Sequence, residues 1–410
     1  MSTRNFSTVA DQVKLDILSK THVLENAAKR KETARNFVLP TEEMYAYATL
    51  ATLGDDVYFE PSTAFVEVLN SLFRELIPKQ GTRVPCRAID WERSGHFRPF
   101  RNSFEPDSSQ NPFEATSLLS PMRPPVPYPQ YEAGGAAFHS GAAVIAVVPS
   151  NNHHITLQDV KDNVILTDNI HFAPTEVVAL ENTLNGTIIP QDDIVAISEY
   201  AHSVGLKMHL DGARIWHVAA ETSTPLKELC DPFDSVSLCF SKGLGAPVGS
   251  CLVGTKEFIA KARWFRKLFG GAMRQTGILA ASAAYALSHN FPQLPRVHVL
   301  AKRLEAGLEE IGAKILSSAE TCMIFYDPST IGVTYDEIAE RGEALPEPLV
   351  LGGSRLVVHI QTSDAAVDDF LAVVRQLAEE KKAAGFVKPE GLVNGAVKDV
   401  YVRRDKKPAQ

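Results

Sequence analysis

Met208-His209-Leu210-Asp211-Gly212-Ala213-Arg214 begins as a strand-like apolar run and ends in an aspartate, a glycine and an arginine. Working outward from it, runs of strand length recur at 144–148, 176–180, 206–210, 235–239 and 251–253. Helical spacing fills 192–204, 256–268 and 275–288. Strands alternating with helices predict a mostly parallel sheet covered on both faces, an α/β fold. Such sheets bind ligands at the carboxyl ends of their strands, where Asp211 falls. After Pro292 the pattern changes. A helix over 297–311, short strands near 323–326 and 355–360, and a helix over 366–380 predict a small C-terminal α+β domain. The chain thus divides into an N-terminal helical extension (1–30), a large α/β domain (31–290), the small domain (291–385) and a polar tail (386–410). Helices are expected at 8–31 and 63–76. Residues 78–129, rich in proline and without sustained period, are anomalous for a compact domain.

Taken alone, Asp211 is an ordinary turn former. It is equally a carboxylate able to pair with the protonated ring nitrogen of pyridoxal phosphate. The next strand adds a second group. Ser235-Val236-Ser237-Leu238-Cys239-Phe240 runs directly into Ser241-Lys242-Gly243-Leu244-Gly245-Ala246-Pro247-Val248-Gly249. An isolated Ser-Lys-Gly is most simply a surface lysine in a glycine-rich turn. One strand-and-helix unit after Asp211, the same lysine can converge with that aspartate on one ligand. Its amine becomes a Schiff-base nucleophile when its neighbours depress its pKa. The glycines that follow let the backbone approach closely.

Composition narrows the classes. Forty-one Lys and Arg against 49 Asp and Glu give a net charge of −8. That balance argues against a nucleic-acid partner, and an anionic ligand must be captured by local cations. No stretch has the apolar length of a membrane span. Residues 1–20 carry no apolar signal core. The five cysteines (Cys86, Cys230, Cys239, Cys251, Cys322) show no metal-ligand spacing and read as reduced, mostly buried thiols. A cytoplasmic protein without metal or membrane partner is the expectation.

Residues 131–290 resemble the threonine aldolase and β-eliminating lyase family of fold type I pyridoxal enzymes. The resemblance rests on Tyr131-Glu132-Ala133-Gly134-Gly135-Ala136-Ala137, Leu180-Glu181-Asn182-Thr183, His209-Leu210-Asp211-Gly212-Ala213-Arg214, the Ser241–Gly249 run, and Gly270-Gly271-Ala272-Met273-Arg274-Gln275. Gly54-Asp55-Asp56-Val57-Tyr58 and Arg355-Leu356-Val357-Val358-His359 extend it at either end. Glu181-Asn182-Thr183-Leu184-Asn185-Gly186 looks like the fungal low-specificity branch. The resemblance implies a seven-stranded sheet and cleavage of a β-hydroxy-α-amino acid, such as threonine or allo-threonine, to glycine and an aldehyde. It implies that Lys242 bonds the aldehyde of pyridoxal phosphate and that Asp211 pairs with the ring nitrogen. Arg214 would meet the cofactor's phenolic oxygen or the substrate carboxylate, and Arg355 would clamp that carboxylate. Lys267 and Arg274 would reach the phosphate in a neighbouring subunit, hence a homodimer or homotetramer. Trp216 and His217 read as packing residues. His209 reads equally as a partner of Asp211 or as a core histidine.

The pattern also breaks. Thr33-Ala34-Arg35-Asn36-Phe37-Val38 replaces the family's Arg-Ser-Asp-Thr-Val-Thr. Residues 79–120 hold no Ser-Gly-Thr-Met phosphate loop, and Pro127 stands where a histidine stacks on the cofactor. Divergence that weakens catalysis and a reading-frame error across 78–129 both account for this. Weak cofactor binding is expected of the chain as written. Two other functions remain open: alanine racemase chemistry, and a catalytically impaired homologue.

Overall fold

The computed structural model describes residues 40–49, 117–121, 135–273 and 276–387. The helices expected at 8–31 and 63–76, and most of the anomalous segment, lie outside the described residues.

The described chain builds one sheet of six strands and one of three. The first comprises β1 (Ser117–Pro121), β2 (Ala143–Val147), β3 (Thr175–Glu181), β4 (Lys207–Gly212), β5 (Ser235–Cys239) and β6 (Ser250–Gly254). They run in the order β2-β1-β3-β4-β5-β6. All neighbours are parallel except β5 and β6. Every residue of β5 is buried, as a strand covered on both faces requires. Helices α1 (Glu42–Thr49), α2 (Gly135–Ser140), α3 (Leu157–Asn163), α4 (Gln191–Ser203), α5 (Ile215–Thr222), α6 (Leu226–Cys230), α7 (Lys256–Leu268) and α8 (Gly277–Tyr285) accompany this sheet. The second sheet is antiparallel, β7 (Lys314–Ser317), β8 (Met323–Asp327) and β9 (Arg355–Val357). It lies among α9 (Leu294–Ile311), α10 (Tyr335–Glu343) and α11 (Asp364–Ala383).

Helix starts follow local chemistry. Thr156 and Thr334 form reciprocal capping boxes with Asp159 and Glu337, satisfying orphan N–H groups of α3 and α10. Gly312, in the left-handed conformation, ends α9, as the C-terminal position favours.

Three expectations need correction. A strand, β1, lies inside the segment that shows no period. It has only five residues, and its place follows from pairing with β2 and β3 on either side, which no local pattern advertises. The strand expected over 355–360 stops at Val357 because His359 and Thr362 close a turn, with Thr362 N donating to His359 O (2.9 Å). The helix expected over 275–288 widens after Tyr285 into a π turn, Ala286–Asn290. That turn places buried Asn290 so that its Nδ2 donates to Leu244 O at 2.7 Å, and π turns of this kind often mark functional positions.

Candidate active site

Parallel pairing makes the carboxyl ends of β3, β4 and β5 neighbours. The register sets Glu181 beside Asp211 and Asp211 beside Ser237. The backbone is tight here. A Cβ at Gly212 would lie 2.7 Å from Ser237 O, closer than such atoms come, so glycine is required after Asp211. Asp211 Oδ1 accepts from Ala213 N (3.0 Å), and Asp211 O accepts from Asn182 N (3.1 Å). The strand-end turns of β3 and β4 are therefore tied together.

Lys242 follows β5 on a loop closed by its own backbone. Phe240 N donates to Gly249 O (2.9 Å), Ala246 N to Phe240 O (2.9 Å) and Gly245 N to Lys242 O (3.0 Å). Gly245 takes φ 73°, a conformation that glycine adopts without steric cost. Trp216, fully buried, donates from Nε1 to Cys239 O (2.9 Å) and stacks on Phe240. A helix residue two positions after Arg214 thus holds the strand end that leads to Lys242.

The electrostatics of Glu181 report which charges converge. Burial pushes its carboxyl up to about 7, Asp211 pushes the same way, and the Arg214 and Lys242 cations pull it back. A carboxyl shifted this far can hold or release a proton at neutral pH. The Cys322 thiol sees the second arginine. Burial raises it, while Arg214 and Arg355 both draw it down. Arg355, from the second sheet, therefore faces the same region as Arg214.

Of the residues singled out in the sequence, Lys242, Asp211 and Arg214 come together, and Arg355 joins them through the Cys322 region. Lys267 sits exposed in the last turn of α7 and is not among the charges that act on Glu181 or Cys322. Arg274 lies outside the described residues, as does Pro127. His209 Nδ1 lies 2.8 Å from Ser235 Oγ, which ties it to β5 inside the core. Glu181 was missed as a functional residue. Its signal was available, an acid ending an apolar strand, but its partner Asp211 is thirty residues away in sequence. Thr183, also buried, has a hydroxyl with no hydrogen-bond partner among the described residues. Among those residues no cluster of three or more His, Cys, Asp or Glu is placed to hold a metal, and no helix is long and apolar enough to cross a membrane.

A family model described as β-eliminating lyase matches residues 128–330. The chain is 37% identical over 346 residues to a low-specificity L-threonine aldolase of Candida albicans, covering 84% of this chain and 88% of that one. It is 39% identical over 251 residues to a probable low-specificity L-threonine aldolase of Schizosaccharomyces pombe, covering 61% of this chain and 65% of that one, just under two thirds of its length. An alanine racemase of Cochliobolus carbonum is 36% identical over 255 residues, covering 60% of this chain and 65% of its own length. The fold matches a Leishmania major threonine aldolase structure with TM-score 0.67 at 17% identity, covering 85% of this chain and 99% of that one.

Proposed function

The chain belongs to the β-eliminating lyase family, and from that premise we propose that it is a pyridoxal-phosphate-dependent aldolase. It cleaves, and in reverse forms, β-hydroxy-α-amino acids such as L-threonine and L-allo-threonine, with glycine and an aldehyde as products. The single observation that carries this reading is the convergence of Lys242, Asp211, Arg214 and Glu181 at three adjacent strand ends.

The donor set fits the cofactor's ring and aldehyde: one amine, one carboxylate and an arginine all act on Glu181 at the strand ends. When bound, pyridoxal phosphate supplies an aldehyde and an electron-withdrawing ring that takes up the charge of the broken bond. Lys242 Nζ would bond the aldehyde. Asp211 would keep a proton on the ring nitrogen, because a carboxylate beside it favours the charged form. Arg355, and Arg214 with it, hold the substrate carboxylate, for which a planar guanidinium fork is suited. Glu181, raised to about 7 beside Asp211 and Lys242, can hold or release a proton near neutral pH. Of the cations for the phosphate, Lys267 is exposed in the last turn of α7 and Arg274 falls outside the described residues.

Substrate is a small amino acid. The functional form is a homodimer or homotetramer, supported by Trp264 and Leu268, both more than half exposed on α7 beside Lys267. The compartment is cytoplasmic. The test is direct: incubation of the purified, cofactor-loaded protein with L-threonine and L-allo-threonine, with glycine and acetaldehyde quantified. Loss of optical purity of alanine without either product would establish the racemase reading instead, the activity that the Cochliobolus relative's name carries.

A further inference from the structure

His217, on α5, is buried and lies directly on the turn that carries Lys242. A Cβ built on Gly243 would meet His217 Nε2 at 2.2 Å. The ring's other nitrogen, Nδ1, is 2.9 Å from Nε2 of His298, itself buried on α9. His298 Nδ1 in turn lies 2.7 Å from Glu221 Oε2, and Glu221 pairs with the exposed Lys302. A continuous polar chain therefore runs from the Lys242 turn, through two buried imidazoles, to a carboxylate at the surface.

The order of protons along it follows from donor and acceptor rules. Glu221 is ionised: burial would raise its carboxyl, but Lys302 and His298 outweigh burial and lower it. The 2.7 Å contact is an ion-pair distance and not an aligned hydrogen bond, but a carboxylate charge this close repels a lone pair, so His298 Nδ1 carries the hydrogen. Burial holds His298 neutral, lowering it in spite of Glu221. Its Nε2 is then a lone pair, and His217 Nδ1 must donate to it. Burial, His298 and the Arg214 cation all hold His217 neutral as well. Its Nε2 is therefore bare. The other end requires the same result independently. The direction of a Cβ at Gly243 is the direction of one of its Hα atoms, and that hydrogen already fills the space in front of Nε2. A second hydrogen on Nε2 would occupy the same volume, whereas a lone pair there receives a weak C–H contact.

We propose that His217 is a positioning residue for Lys242, held in its Nδ1–H tautomer by His298 and Glu221 so that its bare Nε2 seats the Gly243 backbone. The sequence pattern around Arg214 suggests only packing for this residue. The chain orients the Lys242 amine through the main chain and makes no contact with substrate. It rests on the proposed function for what Lys242 does, but not for how Lys242 is held.

The test compares Glu221→Gln, His217→Ala and Gly243→Ala with the parent, as full-length protein. The first readout is the rate at which an amine-specific reagent modifies Lys242 in the cofactor-free protein, followed by mass spectrometry, with Lys256 as internal reference. Freed from its seat, Lys242 should be modified about tenfold faster in His217→Ala and Gly243→Ala, an angstrom-scale displacement being enough for effects of that order or more. Glu221→Gln keeps the size and an accepting oxygen but removes the charge and offers a donor as well, so the tautomer of His298 is no longer fixed and an intermediate increase of about threefold is expected. The second readout is threonine cleavage by the loaded protein, where kcat should fall and KM hold, with added imidazole restoring part of kcat in His217→Ala. Unchanged Lys242 modification in Glu221→Gln and Gly243→Ala overturns the proposal even if His217→Ala fails to fold. A parent that cleaves no β-hydroxy amino acid overturns the function, and the modification rates still judge the positioning role.

Discussion

The two ends of the adjacent strands β3, β4 and β5 treat their acids in opposite ways. At the amino end, Asp234 accepts from Met208 N (2.8 Å) and pairs with His202 (2.9 Å) and Lys207 (3.3 Å). Burial alone would raise its carboxyl, but these partners outweigh burial and lower it. At the carboxyl end, Glu181 is set beside a second carboxylate, and burial and repulsion raise it to about 7. One end has cations and N–H groups matched to its charge and stitches two strands together. The other holds like charges in register, an arrangement that costs stability unless a ligand uses it. A parallel sheet gathers functional groups at one edge only, and the opposite edge is left to hold the strands.

The most severe way to break this contrast is Lys242→Ala. Cleavage activity should fall by about a thousandfold or more, since the covalent step loses its nucleophile. Borohydride reduction of the parent should fix the cofactor to Lys242, and a label on Lys261 or Lys267 would contradict the assignment. Asp211→Asn comes next. An amide matches the carboxylate in size but cannot keep the ring nitrogen protonated, so a loss of about a hundredfold in kcat is expected with the melting temperature nearly unchanged. Near-parental cleavage would show that Asp211 is not the ring partner.

Glu181→Gln sharpens the comparison through stability. The folded carboxyl titrates near 7 and the unfolded one near its ordinary 4.5. As pH rises from about 4.5 to about 7, the unfolded chain releases a proton that the folded chain retains, so the folded state loses stability over that window. A rise from 4.5 to about 7 corresponds to at most roughly 3–4 kcal/mol at ~1.4 kcal/mol per factor of ten. The cofactor-free variant should therefore be more stable than the parent at pH 8 and indistinguishable from it at pH 4. Chemical denaturation at both pH values reads this.

Asp234→Asn probes the other end and has the reverse sign. Its folded carboxyl lies below the ordinary 3.8, so its contribution is present above that value and disappears as pH falls through the folded one. Losing the charge-assisted bonds should cost about 1–3 kcal/mol at pH 7 and leave kcat as it was. An equal cost at pH 2.5 would mean that the packing of Asp234, and not its charge, holds β4 to β5.

Much of this was legible in the chain. Strands 235–239 and 251–253 and the helix at 256–268 were readable because their apolar spacing is local and strong. Lys242 and Asp211 stand out in the sequence because each closely follows or ends an apolar run with glycine beside it, and their roles belong to the proposed function. What escaped depends on pairing across distance. Nothing within Ser117–Pro121 reports that it joins β2 to β3. Glu181 is an unremarked strand-end acid until register sets it against Asp211. His217 resembles any helix histidine until α9 brings His298 against one nitrogen and the Lys242 turn brings Gly243 against the other.

The sequence by itself determined which residue types stand at the strand ends, and with them the family, the cofactor and the reaction class. Spacing along a strand or helix is a property of neighbours in the chain, and the chemistry of Lys242 and Asp211 is written in their own side chains. Only the tertiary structure decided which acid is pushed toward neutrality, which arginines act on the Cys322 thiol, and which nitrogen of His217 is bare. Those properties are set by distance and burial, and both arise only when strands far apart in sequence are laid side by side.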